Sequence, residues 1–253
     1  MTGQRIWVNG LEGTSGLVPD EGFFFGRGVF ETMHVTKRAL FLQEHLARLT
    51  EGASRLGIKR SLTAGEVEQV ISDHSLSDCA LKVTITPENI VITTRPVPYG
   101  KELLKSGVTV MMGAGRRNAC SRITGAKTTS YADSLLEREQ ATLAGCAEAI
   151  LLDTDGFLAE GSASNLFFAV DGILCTPAVS CGILPGIIRS FVMKNFPVRE
   201  ERFMPEDLMR ADECFLTNSL MGILGIREMQ NRRTWPIGPL TRLVQDAYLQ
   251  EIS

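Results

Sequence analysis

The sequence lacks an apolar run of the roughly 20 residues that a membrane span needs: stretches such as FFF at 23–25 and ILL at 150–152 are far shorter. Its opening, MTGQRIW, has neither the charged nor the apolar region of a signal peptide, so the expected setting is cytoplasmic. No long run of one charge occurs, and a net charge of -3 offers no basic surface to nucleic acid. Six cysteines, Cys79, Cys120, Cys146, Cys175, Cys181 and Cys214, form no CxxC pair and are expected to be reduced and mostly buried. Three histidines, His34, His45 and His74, show no ligand spacing with one another or with the cysteines, so no metal centre is expected. What remains is ordinary globular composition, 44% hydrophobic and 22% charged, in a chain of 253 residues that can bury a sizeable core in two domains.

Patterning divides the chain. Asn9-Gly10 marks a hairpin turn at the start. Leu46, Leu49, Ala53 and Leu56 recur at helical spacing over 43–57, and Gly57 is a natural stop. Thr63 with Glu66 makes a capping box for a second helix. Strand-like runs follow at 80–86, 90–94 and 107–112. The small, polar and basic stretch GAGRRNACSRIT at 113–124 has no periodicity, which makes 114–124 a connector between a domain over 1–113 and another over 125–253. Beyond it lie a helix over 133–144, closely spaced strands AEAILLD, FLAEG, NLFFAV and ILCTP, and a helix in LPGIIRSFVMKN introduced by Pro185 and Gly186. A strand at 213–217 and a helix from Pro239 finish the chain, and the short strands suggest a barrel-like sheet.

Several residues have two readings each. Lys127, in GAKTTSY, is flanked by small and hydroxyl residues rather than acids, which suits a reactive amine as well as a plain surface lysine. Glu160 opens EGSASNLF at a strand end, where a carboxylate can hold a proton on a ring nitrogen or simply face water. GILPGIIR presents backbone N–H groups at a helix start, suited to a phosphate, although many helices begin this way. Arg48 shares its helix with Glu44 and Glu51, the spacing of a surface ion pair. FFFGRGVFET at 23–32 has neither nucleotide-fingerprint nor P-loop spacing and reads as a hairpin with an aromatic core.

Taken together, FGRGVFET (25–32), EHLARLTEGASRLGI (44–58), KTTSYADSLLEREQA (127–141), EGSASNLF (160–167), LPGIIR (184–189) and FLTNSLMGI (215–223) resemble, in order and spacing, the fold-type IV enzymes of pyridoxal 5'-phosphate. That family contains branched-chain aminotransferases, D-amino acid aminotransferases and 4-amino-4-deoxychorismate lyases. The resemblance implies an α+β fold with a smaller α/β domain, a barrel-like second domain and the cofactor between them. It implies Lys127 as the Schiff-base lysine and Glu160 as the acid on the pyridine nitrogen. Arg48, backbone groups of Ile187 and Ile188, and Ser219 would grip the phosphate, with Tyr131 beside the phenolic oxygen.

Within the family, local details resemble the lyases. Thr32 in FET is similar to a proton-handling threonine, and ALKVTIT at 80–86 to the lyase strand that bears a lysine, here Lys82, which would pair with a substrate carboxylate. ITPENIVITT departs from the family in passing almost directly to the next strand, without the usual glycine- and arginine-rich loop. The expectation is a homodimeric enzyme acting on a small-molecule amine, as a lyase or, alternatively, as an aminotransferase for D-amino or branched-chain amino acids.

Overall fold

The computed structural model describes residues 4–253, which fall into two compact units. The first comprises the described residues up to Pro98 together with Ala126–Tyr131; the second comprises Tyr99–Gly125 and Ala132–Ser253.

In the first unit, β1 (Arg5–Val8) and β2 (Leu11–Glu12) form the expected hairpin, and Asn9 and Gly10 both have positive φ, 50° and 86°, as a primed two-residue turn requires. The stretch after it is not a hairpin with an aromatic core. Asp20 accepts the N–H groups of Gly22 and Phe23 and starts α1 (Glu21–Phe25), and Gly26, at φ 69°, stops it. One turn is too short to own a buried face, so Phe23, Phe24 and Phe25 are 73%, 61% and 79% exposed.

The unit continues with β3 (Val29–Val35), α2 (Leu42–Arg55), α3 (Ala64–Asp73), β4 (Cys79–Ile85) and β5 (Ile90–Pro96). The strands form one antiparallel sheet in the order β2-β1-β5-β4-β3. Alternation sorts β3 into two faces: Val29, Glu31, Met33 and Val35 point to the core, whereas Phe30, Thr32 and His34 occupy the other face. Leu46, Leu49 and Ala53 of α2 bury against the core face, each leucine contributing about 1.5–3 kcal/mol. Thr63 and Glu66 form the capping box of α3, each binding the other's backbone N–H.

The second unit begins with α4 (Lys101–Ser106) and β6 (Val108–Arg117), which runs past the expected strand end and takes in the first four residues of the expected connector. It continues through α5 (Ala132–Leu143), β7 (Glu148–Asp153), β8 (Leu158–Gly161), β9 (Asn165–Val170), β10 (Ile173–Pro177), α6 (Ile187–Asn195), β11 (Val198–Glu201), α7 (Pro205–Arg210), β12 (Glu213–Asn218), β13 (Gly222–Met229), β14 (Arg233–Thr234) and α8 (Pro239–Glu251). Its sheet runs β11-β10-β9-β12-β13-β6-β7-β8, and an added pairing of β8 with β9 closes β9, β12, β13, β6, β7 and β8 into a six-stranded barrel. Cross-strand partners Phe167 and Phe215, both fully buried, stack with centroids 5.1 Å apart. Among the described residues no helix is long and apolar enough to cross a membrane.

Candidate active site

Lys127 is held against the edge strand of the first sheet. The N–H of Phe30 donates to the Lys127 carbonyl (2.8 Å), that of Thr129 to the Gly28 carbonyl (2.9 Å), and Val29 bridges Thr128. Lys127 therefore stands across from Phe30, with its side chain on the same sheet face. Its Nζ lies 4.6 Å from the Phe30 ring centroid and 5.4 Å from that of Tyr131, and these two rings meet edge to face at 5.3 Å. Lys82 brings its Nζ to 4.2 Å from the same Phe30 ring, and Thr32 is its cross-strand partner. Three expected site residues, Lys127, Tyr131 and Lys82, thus gather around Phe30, and Thr32 lies on the same face of β3 two residues along. Burial pushes the Lys82 amine below the usual lysine range, and the charge of Arg95 adds to the effect.

The core face of β3 carries a second group. Arg48 grips Glu31 through Nε (2.7 Å) and Nη2 (2.8 Å), while His45 Nδ1 donates to the same carboxylate at 2.6 Å. Glu51, one of the two acids at ion-pair spacing from Arg48 on the helix, accepts from Arg55 at 2.9 Å. Burial alone would raise the Glu31 carboxyl, but the hydrogen bonds and charges of His45 and Arg48 override it and hold the group at about 2. Glu31 thereby sets the direction of the Arg48 guanidinium.

The remaining expected residues lie in the second unit. Glu160, buried on β8, accepts the Asn165 amide (3.1 Å) and the Leu184 N–H (3.0 Å) on Oε2, and forms an ion pair with Arg117 Nε at 3.0 Å through Oε1. Asn165 also donates to the Leu184 carbonyl at 2.8 Å, which ties the strand to the segment leading into α6. Ile187 and Ile188 open α6 after the cap residue Gly186, with no side chain capping the helix start. A Cβ at Gly186 would fall on Asn165 Oδ1, so this close backbone approach requires glycine. Ser219 sits in the turn between β12 and β13, which Asn218 organises by accepting the N–H groups of Leu220 and Met221. Asn218 also donates to the Ala163 carbonyl at 3.2 Å, and Glu148 holds that loop from beneath through Ser162, Ala163 and Ser164.

Sequence reasoning missed Glu31, His45, Phe30, Arg117 and Asn165. One signal was available: in the alternation of β3, Glu31 shares parity with Val29, Met33 and Val35, and a carboxylate on the core side needs a partner. Arg117 gave no such signal, because it lies in an aperiodic basic stretch and meets Glu160 only through the lateral order β6-β7-β8 of the sheet.

A family model described as amino-transferase class IV matches residues 28–229. A protein of Methanocaldococcus jannaschii, provisionally named branched-chain-amino-acid aminotransferase, is 30% identical over 254 residues, covering 90% of this chain and 88% of its own. The crystal structure of Escherichia coli branched-chain amino acid aminotransferase superposes with a TM-score of 0.89 at 26% identity, over 97% of this chain and 93% of that one. The crystal structure of 4-amino-4-deoxychorismate lyase from Pseudomonas aeruginosa gives a TM-score of 0.85 at 29% identity, over 96% and 97%.

Proposed function

The chain belongs to the class IV aminotransferase family, whose enzymes use pyridoxal 5'-phosphate, and from that premise we propose that it converts 4-amino-4-deoxychorismate into 4-aminobenzoate and pyruvate. The observation that carries this reading is the pairing of Thr32 with Lys82 on the sheet face where Lys127 stands. Thr32 and Lys82 thus share a sheet face with the lysine assigned to the cofactor, which supports a hydroxyl and a second amine acting on the same substrate. The likeness to a 4-amino-4-deoxychorismate lyase over nearly the whole chain supports it.

The residues present suit the cofactor. Glu160 is a buried carboxylate fixed on both oxygens, the form needed to keep a proton on a ring nitrogen. The uncapped start of α6 offers the N–H groups of Ile187 and Ile188 to a phosphate, and Arg48 and the Ser219 hydroxyl complete its proposed grip. Tyr131 would adjoin the phenolic oxygen. Bound pyridoxal phosphate supplies an electron sink for the pair left when a bond at the amine-bearing carbon breaks. Lys127 would hold the cofactor through Nζ and, as a free amine, take the proton from that carbon. Thr32 would pass a proton to the departing enolpyruvyl group, and Lys82 would pair with a carboxylate. Formation of the aromatic ring drives the reaction, so no amino acceptor is needed.

One observation favours a second reading, amino transfer from D-amino or branched-chain amino acids: similar proteins such as that of M. jannaschii carry an aminotransferase name. Purified protein mixed with aminodeoxychorismate and no keto acid separates the two. Equal release of pyruvate and 4-aminobenzoate supports the lyase. No release, with turnover of amino acids that depends on a keto acid, assigns the chain to amino transfer.

The exposed rings of Phe23, Phe24 and Phe25 form an apolar surface that a second copy of the chain would cover, consistent with a homodimer. All six cysteines are free, which suits a reducing, cytoplasmic setting.

A further inference from the structure

The outer face of the first sheet is an ordered grid. Across β3, β4 and β5 the register aligns Phe30 with Thr84 and Val91, Thr32 with Lys82 and Thr93, and His34 with Ala80 and Arg95. The pairing of Val29 with Thr128 adds Lys127 beside Phe30. Lys82 and Arg95 are thus diagonal neighbours on adjacent strands, about 7–8 Å apart by strand geometry. The influence of Arg95 on the Lys82 amine agrees with that spacing.

Two cations of one sign this close, beside a third amine, repel one another. Proteins ordinarily relieve such repulsion with carboxylates. Elsewhere in this unit they do: Arg5 binds Glu12, Arg48 binds Glu31 and Arg55 binds Glu51. Neither Lys82 nor Arg95 has a carboxylate within ion-pair distance among the described residues. Lys82 is half-buried and leans on the Phe30 ring, whereas Arg95 is exposed. A solvated arginine alone would need no partner; a half-buried lysine next to it on the face that carries Lys127 is a different arrangement.

We propose that Lys82 and Arg95 form a cradle for two carboxylates of one substrate molecule, with Arg95 as the residue that selects a dianionic over a monoanionic amine. Lys82, nearer Lys127, takes the carboxylate closer to the reacting carbon, and Arg95 takes the distal one. A substrate with a single carboxylate gains only the first contact. This selection rests on the reading that Lys127 carries the cofactor, but it holds for elimination and for amino transfer alike.

The test is equilibrium dialysis of the cofactor-loaded enzyme against radiolabelled glutarate and, separately, radiolabelled butyrate. Wild type is expected to bind glutarate more tightly. Arg95→Ala should weaken glutarate by about tenfold, the effect of one lost charge-assisted contact, and leave butyrate unchanged. Arg95→Lys should recover most of the loss, and Lys82→Ala should weaken both ligands. Because Arg95 is exposed, its variants should melt with the wild type. Equal binding of the two ligands by wild type, or equal weakening of both by Arg95→Ala, overturns the cradle. Borohydride reduction and peptide mass analysis of the same samples keep the two readings apart. Label on Lys127 without a dicarboxylate preference removes the cradle alone, whereas label on another lysine removes the assignment beneath it.

Discussion

Arg117 places its Nε 3.0 Å from Glu160 Oε1, so the carboxylate assigned to a ring nitrogen is itself backed by a guanidinium from β6. The amide of Asn165 and the N–H of Leu184 fix its second oxygen. Glu160→Gln keeps the shape but cannot hold the ring proton. It should retain cofactor and lose about 100-fold or more in turnover. Wild-type kcat in that variant would refute the role.

Glu31 makes a different kind of contribution, to stability. Its carboxyl is held at about 2 when folded against 4.5 for the ordinary group. A depressed carboxyl stabilises the fold fully above the ordinary value and loses that effect as pH falls through the folded one. The wild type should therefore lose on the order of 3 kcal/mol as pH drops from about 4.5 towards about 2. Glu31→Gln should be less stable at neutral pH and show a flatter acid limb in urea titrations across that window. Parallel acid limbs for the two proteins would contradict the account.

Arg48 joins a structural bond to Glu31 with the proposed grip on the cofactor phosphate, so its substitutions must separate the two. Arg48→Ala strips a buried carboxylate of its main cation, a change that costs about 3–5 kcal/mol in comparable buried pairs. Arg48→Lys keeps the charge but loses the planar fork. The lysine variant is expected to fold and to bind pyridoxal phosphate about tenfold more weakly, with a smaller change in the chemical step. Fluorescence titration with cofactor reads this directly, and an unchanged dissociation constant would confine Arg48 to its bond with Glu31.

Long amphipathic elements were legible in the sequence. The leucine spacing in α2 and the capping box of α3 each act within one element, so the pattern alone reveals them. Short elements were not: α1, α4 and α7 span one or two turns and have no period to detect. β13 was overlooked because it follows β12 after a tight turn and carries Gly225 in its interior. At the candidate site, Lys127, Glu160 and Ser219 are proposed from the order of motifs along the chain. Arg117 supports Glu160 from two strands away across β7, Asn165 does so through the β8–β9 pairing that closes the barrel, and Phe30 meets Lys127 through a strand pairing nearly a hundred residues away in sequence.

Gly186 tests whether the α6 start and Glu160 act as one assembly. A methyl group there collides with Asn165 Oδ1, and Asn165 binds both Glu160 and the Leu184 carbonyl. Gly186→Ala should therefore disturb two proposed cofactor contacts at once. The expected outcome is weaker cofactor retention on gel filtration together with lower turnover, at a modest cost of about 1–3 kcal/mol in stability. Retention and turnover both at wild-type levels would show that Asn165 moves aside without consequence.

Thr32 decides between a chemical and a structural role, because its hydroxyl is the only feature that separates them. A strand threonine opposite Lys82 is explained equally well by its β-branched shape. Thr32→Val keeps that shape and the sheet pairing and removes the hydroxyl alone, so its melting temperature should match or exceed that of wild type. If Thr32 carries a proton to the leaving group, the variant should lose about 10²-fold in kcat for pyruvate release, within the range of general acid–base catalysis. KM should stay close to wild type, because Lys82 and the cofactor contacts are intact. Thr32→Ser restores the hydroxyl in a slightly looser side chain and should recover most of the rate. Full pyruvate release by Thr32→Val would leave the residue as a strand former, and the enolpyruvyl group would then take its proton from another donor, such as water or the Lys127 ammonium formed when that amine accepts the substrate proton.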